Sequence, residues 1–181
     1  MQFGGGTEAP LFFVSGGQVN FQVPWELSGQ SQATLAATLD YAAGAAQTVN
    51  LAPVAPAIFS TNAAGTGQGA ILDTSYRLVD STNPAAPGSF VLIYCTGLGA
   101  VSNRPATGSP APSDPLAESA TPIVTIGGVT ANVQFSGLAP GYVGLYQVNA
   151  QVPAGSATGS SVSVTISMGG VTSNTVTMAV Q

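Results

Sequence analysis

Gln18-Val-Asn-Phe-Gln-Val-Pro24 returns 129 residues later as Gln147-Val-Asn-Ala-Gln-Val-Pro153. The offset continues without a gap through Leu35 and Val164, Leu39 and Met168, Thr48 and Thr177, and Leu51 and Val180. Upstream, Gly5-Gly6 and Phe13 match Gly127-Gly128 and Phe135 at an offset of 122. Two copies of one unit therefore organise the chain. The second copy decides the type of element. Val162, Val164, Ile166 and Met168 alternate with Ser163, Thr165 and Ser167, which gives a strand with one apolar and one hydroxyl face. Gly169-Gly170 reverses the chain into Val171–Val180, where Val176, Met178 and Val180 alternate with Thr175, Thr177 and Ala179. The pattern predicts a hairpin. Gly127-Gly128 joins Ile123–Ile126 to Val129–Phe135 in the same manner.

The first copy is ambiguous alone. Ala33–Ala46 is rich in Ala and Leu and suits a helix by propensity. Its aligned partner, Ser163-Val-Thr-Ile-Ser167, strongly prefers a strand. Ala33–Tyr41 and Gln47–Ala52 are therefore read as a hairpin too. The expected architecture is all-β, with two repeat-related immunoglobulin-like β-sandwich units. Residues 1–55 form a first, short unit. Residues 56–181 form a second, fuller one with strand candidates Ala70–Leu72 and Phe90–Cys95. A seven-stranded sandwich takes roughly 100 residues, so the first unit falls short. Either it is a partial sandwich packed on the second, or its opening strands lie upstream of Met1. The run Phe90-Val-Leu-Ile-Tyr-Cys95, apolar on both faces, favours the former, with one face covered by the first unit. The segment 101–122 holds Pro105, Pro110, Pro112, Pro115 and Pro122 and reads as an extended loop, mobile rather than functional.

Composition narrows the function classes. Hydrophobic residues make up 45% of the 181, so there is enough apolar surface for a core. Charged residues make up only 5%, against about 25% in ordinary globular proteins. Such a surface must be covered by Ser, Thr, Asn, Gln, Ala and Gly, a pattern that suits secreted and cell-surface β-proteins. Arg77 and Arg104 are the only cations, and the net charge is −5, which argues against nucleic-acid binding. No apolar run approaches the ~20 residues that span a bilayer as a helix, so membrane insertion is not expected. Met1-Gln-Phe-Gly lacks the basic and apolar regions of a signal peptide.

With no His and no Lys, the Ser-His, Cys-His and Ser-Lys arrangements of nucleophilic catalysis are excluded. One Cys and no His make a zinc site unworkable. Cys95 reads as a small buried hydrophobe. Gly65-Thr-Gly-Gln-Gly69 lacks the Lys of a phosphate loop and reads as a turn. Asp73 with Asp80, or Asp114 with Glu118, offers carboxylates but no dense calcium loop, and solvated surface positions are expected. No catalytic residue, metal site or cofactor is therefore assigned.

Contact residues are sought among the aromatics. Trp25 follows Pro24 at a strand end, while Tyr142 and Tyr146 sit in Gly137-Leu-Ala-Pro-Gly-Tyr-Val-Gly-Leu-Tyr146, seven residues longer than its counterpart in the first copy. These three are the candidates for stacking on a sugar or touching a partner. Asn20 and Asn149 sit inside strands, where Asn is disfavoured, and are expected to hold an adjacent loop's backbone by structural hydrogen bonds.

Gly17-Gln-Val-Asn-Phe-Gln-Val-Pro-Trp25, Ala55-Pro-Ala-Ile-Phe59, Ile93-Tyr-Cys-Thr-Gly-Leu-Gly-Ala-Val101 and Gly137-Leu-Ala-Pro-Gly-Tyr-Val-Gly-Leu-Tyr-Gln-Val-Asn149, in this order, resemble an uncharacterised C-terminal domain of large secreted acidobacterial proteins. The second copy is also similar to immunoglobulin-like TIG-type modules, through Val124-Thr-Ile-Gly-Gly-Val129 and the closing hairpin. The resemblance implies an exported module in long multidomain chains and carries no activity with it. The function expected is a non-catalytic structural or adhesive module, extracellular or at the cell surface, contacting other protein chains or copies of itself. The alternative is a carbohydrate-binding module that holds polysaccharide.

Overall fold

The computed structural model describes residues 1–40 and 42–181. It is all-β, and the 3-10 turn Trp25–Leu27 is the one helical element among the described residues. The first unit holds β1 (Gln2–Phe3), β2 (Thr7–Glu8), β3 (Leu11–Val14), β4 (Val19–Phe21), β5 (Gln32–Ala36), β6 (Thr38–Leu39), β7 (Ala42–Ala43) and β8 (Gln47–Asn50). The second holds β9 (Ala57–Ile58), β10 (Ile71–Asp73), β11 (Phe90–Thr96), β12 (Ile123–Ile126) and β13 (Val129–Leu138). It closes with β14 (Tyr146–Gln151), β15 (Gly159–Met168), β16 (Val171–Thr172) and β17 (Val176–Val180). Tyr41, the last residue of the expected first strand, lies outside the described residues.

In the second unit the strands run β10-β11-β14-β13-β12-β15-β16, with β17 on β15 and β9 on β11. β13 pairs with β12 over its first half and with β14 over its second, so it passes from one layer to the other. Val91, Ile93, Val148 and Ala150 of one layer share a core with Val124, Ile126, Val164, Ile166, Val176 and Met178 of the other. All ten are fully buried. At about 1.5–3 kcal/mol for each large side chain removed from water, this sandwich core dominates the stability.

The first unit repeats the pairing scheme at the offset seen in the sequence. Leu35 faces Gln47, Thr34 faces Thr48 and Ala33 faces Val49. Their counterparts Val164 and Val176, Ser163 and Thr177, and Val162 and Met178 pair identically. Leu39 faces Ala42 as Met168 faces Val171. Leu11 faces Phe21 and Phe13 faces Asn20, with a bulge between, as Val133 faces Ala150 and Phe135 faces Asn149 across a bulge of their own. Where the second unit has the continuous strand β13, the first is broken into β2 and β3 at Pro10, which has no N–H to give a ladder. A small separate core of Phe3, Ala9 and Leu27 is ringed by Phe21, Leu35, Val49 and Leu51, with Phe3 and Phe21 packed edge to face at 6.0 Å.

Within its sheet β11 is paired with β9, β10 and β14. Two expectations need correcting. The loop 101–122 is not mobile. Ser102 N donates to Glu118 O and Leu138 N to Ala117 O, each at 2.8 Å, while Ala111 N donates to Tyr142 O at 2.8 Å and Gly141 N returns to Ala111 O at 2.9 Å. Ala111 and Ala117 are buried by these contacts. The last run, 171–180, is interrupted at Asn174, whose carboxamide accepts from Ile58 N at 2.7 Å and donates to Ile58 O at 2.9 Å. One side chain there replaces a stretch of ladder and fixes β9.

Candidate functional site

The repeated heptapeptides lie on β4 and β14. Alternation sends Val148, Ala150 and Val152 inward and leaves Gln147, Asn149 and Gln151 half-buried on the outer side. On that side Gln147 Nε2 donates to Asn149 Oδ1 at 2.8 Å, and Gln18 Nε2 donates to Asn20 Oδ1 at 2.8 Å in the first unit. The Asn residues thus bond to a glutamine two positions earlier on their own strand, not to a loop backbone as expected. The loops are held by the third amide of each motif. Gln151 Nε2 donates to Gly88 O at 2.9 Å, and Gln22 Oε1 accepts from Gly108 N at 2.8 Å.

Trp25, Tyr142 and Tyr146 do not form one platform. Tyr146 is buried on β14, paired with Cys95 of β11, and its hydroxyl donates to Gly99 O. Burial, with Cys95 beside it, pushes its phenol up to about 12. It cannot stack on a sugar. Trp25 is half-buried against the second core, with the Arg104 guanidinium 5.9 Å from its ring centre. Its backbone N–H donates to Thr107 Oγ1 at 3.1 Å, and that hydroxyl donates to Glu26 Oε2 at 2.7 Å. The Thr107 hydroxyl bond is the main reason the Glu26 carboxyl lies below the usual range. Trp25 is thus a hinge pin between the first unit and the Pro-rich loop. Of the three, only Tyr142 is freely exposed, at 59%. Tyr142 and Tyr76 each lie near Tyr94. The Tyr94 phenol is raised by burial and by the nearby Tyr76 and Tyr142. Tyr76 is itself exposed.

The remaining polar groups serve local turns. Asp73 accepts from Arg77 N, Ser75 N and Asn83 Nδ2 and pairs with the Arg77 guanidinium at 2.8 Å. The Arg77 backbone bond leads in holding its carboxyl down at about 2. Asp80 accepts from the Thr82 hydroxyl and N–H, which lower it as well. These carboxylates are saturated by turn donors and do not converge on a common point. Cys95 is buried, and desolvation alone pushes its thiol up to about 12, so it is held as an unreactive neutral thiol.

The largest asymmetry between the units is apolar exposure at matched positions. Val152 is 1% exposed and Val23 50%; Met168 is 7% exposed and Leu39 75%. All four residues of β3, Leu11, Phe12, Phe13 and Val14, are exposed as well. In the second unit β11 lies along the edge of β14 that corresponds to the outer edge of β4. In the first, among the described residues, β4 pairs with β3 alone. Exposure of this face was not foreseeable from composition. Aligning the two copies and asking which strand lacks a counterpart would have located it. Comparison with protein-family models, curated proteins and solved structures finds no match.

Proposed function

We propose that the chain is a non-catalytic structural or adhesive β-sandwich module that contacts other protein chains, or further copies of itself, through the open face of its first unit. The observation that carries the reading is the exposure of Val23 and Leu39, where the matched Val152 and Met168 are buried, together with the four exposed apolar side chains of β3. Apolar patches of this kind mark contact surfaces. No charged residue lies between Glu8 and Glu26, so the usual protection of a sheet edge by Lys or Glu is missing. Support for a non-catalytic role comes from the perturbed groups, each of which has a local structural cause. An extracellular or cell-surface setting is supported by the charge-poor composition and by the resemblance to a secreted C-terminal domain.

Light scattering after size exclusion, from micromolar to millimolar protein, tests the reading. The expected mass rises with concentration, and a Phe12→Asp/Leu39→Ser double variant, altered only at exposed side chains, stays monomeric. A wild type that is monomeric throughout and binds no hydrophobic dye refutes it. A second reading, a polysaccharide-binding module, is favoured by the exposed Tyr142 and Tyr76, each near Tyr94, and no longer by Trp25 or Tyr146. Retention on neutral polysaccharide gels, lost in Tyr142→Ala, would support it; no retention of the wild type would end it.

A further inference from the structure

The second unit is a template for what the first unit lacks. β14 has β13 on one side and β11 on the other, paired from Phe90 with Gln151 to Cys95 with Tyr146. Its backbone groups alternate between the two neighbours. Val152 N donates to Ser89 O and Gly88 N to Val152 O, both at 2.8 Å, so Val152, Ala150 and Val148 turn their polar groups toward β11. On β4, Ser15 N donates to Gln18 O at 2.8 Å and Gln22 N to Pro10 O at 2.9 Å, so Gln18, Asn20 and Gln22 face β3. Val19, Phe21 and Val23 consequently turn their N–H and C=O groups the other way. Among the described residues these groups have no backbone partner. Pro24 comes only after this run, so three successive outward sites are intact.

We infer that the edge of β4 binds one extended strand of a partner chain, antiparallel, in the register that β11 takes on β14. This rests on the proposed contact role and specifies the partner's chemistry. Ile93 and Val91 pair with Val148 and Ala150, so the incoming strand places apolar residues opposite Val19 and Phe21, over the small core. It carries no charge across that stretch, since nothing on this edge would pair with one. Phe21, larger than its counterpart Ala150, already fills part of the space and meets Phe3. The strand's inward residues are therefore aliphatic rather than aromatic. Main-chain bonds supply the affinity and the alternate side chains the selectivity, as in other strand additions.

The probe is a synthetic peptide of residues 88–97 carrying Cys95→Ser and flanked by solubilising lysines, with its scrambled sequence as control. Amide hydrogen exchange is followed on the whole chain. In the free protein Val19, Phe21 and Val23 exchange rapidly while Val148, Ala150 and Val152 are protected. With peptide, the first three slow by about tenfold or more, and Val23→Lys, a charge placed at an exposed edge position, abolishes the slowing without disturbing β14. Slowing by the scrambled peptide, or none at saturating peptide, overturns the inference. Protection of these amides that grows with protein concentration and resists the peptide also overturns it, by assigning the edge to a second copy. The light-scattering comparison is independent. Self-association that is lost in the Phe12→Asp/Leu39→Ser variant, with β4 amides untouched, keeps the contact role and removes only the strand.

Discussion

Val152 and Val23 occupy one position in the two units, so the same substitution at each measures how open the first unit is. Val152 is 1% exposed and Val23 50%. Val→Ala removes two carbons. At about 0.8 kcal/mol per buried carbon the transfer loss at Val152 is roughly 1.6 kcal/mol. The cavity left between two packed layers raises the cost to about 2–3 kcal/mol. At Val23 the same atoms are half in water and no cavity is enclosed, so the cost is about 0.5 kcal/mol. Urea unfolding read by far-ultraviolet circular dichroism gives both numbers, and Trp25 fluorescence reports the seam between the units. At dilute protein the ratio of costs should be near fivefold. Equal costs would mean that something within the isolated chain covers Val23, and the open-edge argument would fail. A Val23 cost that grows with protein concentration would show a partner copy covering it instead.

Gly97 has φ +76°, and a Cβ there would run into the Ala55 carbonyl. Gly97→Ala should cost at least about 2 kcal/mol in urea unfolding, whereas Gly16→Ala, with nothing near its Cβ, should be close to neutral. Cys95 should resist thiol reagents in the native state and react on unfolding. Its thiol rises from an ordinary 9.0 to about 12 on folding, so between these values the unfolded chain binds fewer protons and stability falls as pH rises; Cys95→Ala should flatten that alkaline slope. Asp73 shifts the other way, from 3.8 to about 2. Its contribution is present above pH 3.8 and lost as pH falls through about 2, and Asp73→Asn should remove that part of the acid limb in a pH titration of the unfolding midpoint.

Much of the fold was legible because strict alternation has one meaning in a strand. β15, with its valines and isoleucine every second residue, could be placed from its side chains alone. β5 and β8 could not, being rich in Ala, Thr and Gln, and were assigned only by their alignment with β15 and β17. Tyr146 was misjudged although the information was present: it has the parity of Val148, Ala150 and Val152, which puts it on the inner face. The break at Asn174 and the order of the Pro-rich loop were not legible, because each depends on partners far away in sequence. Asn174 reaches Ile58 across 116 residues, and Ala111 is held by Tyr142. A run of prolines removes donors, but it does not prevent the few remaining N–H groups from finding a strand end.

It remains to account for which residues stayed identical between the copies. The core positions did not: Phe3 stands where Ile126 does on the matching pair, Leu35 where Val164 does, and Phe21 where Ala150 does. Core side chains trade volume with whatever faces them, and Phe21 occupies room that the second unit fills with Ala150 together with residues of β11. A glutamine that must bond to an asparagine two residues on has no such freedom. Shortening either side chain breaks the 2.8 Å bond, and in the second copy changing either group leaves a carboxamide unmatched on a half-buried face. The third amide reaches a loop backbone in both copies, to Gly108 in one and Gly88 in the other, and meets a similar constraint of reach. The repeated heptapeptide is therefore a hydrogen-bonding device set on a strand. That is why it remained recognisable while the core around it diverged, and why matching it pairs the two strands whose outer edges differ, one covered by β11 and the other open.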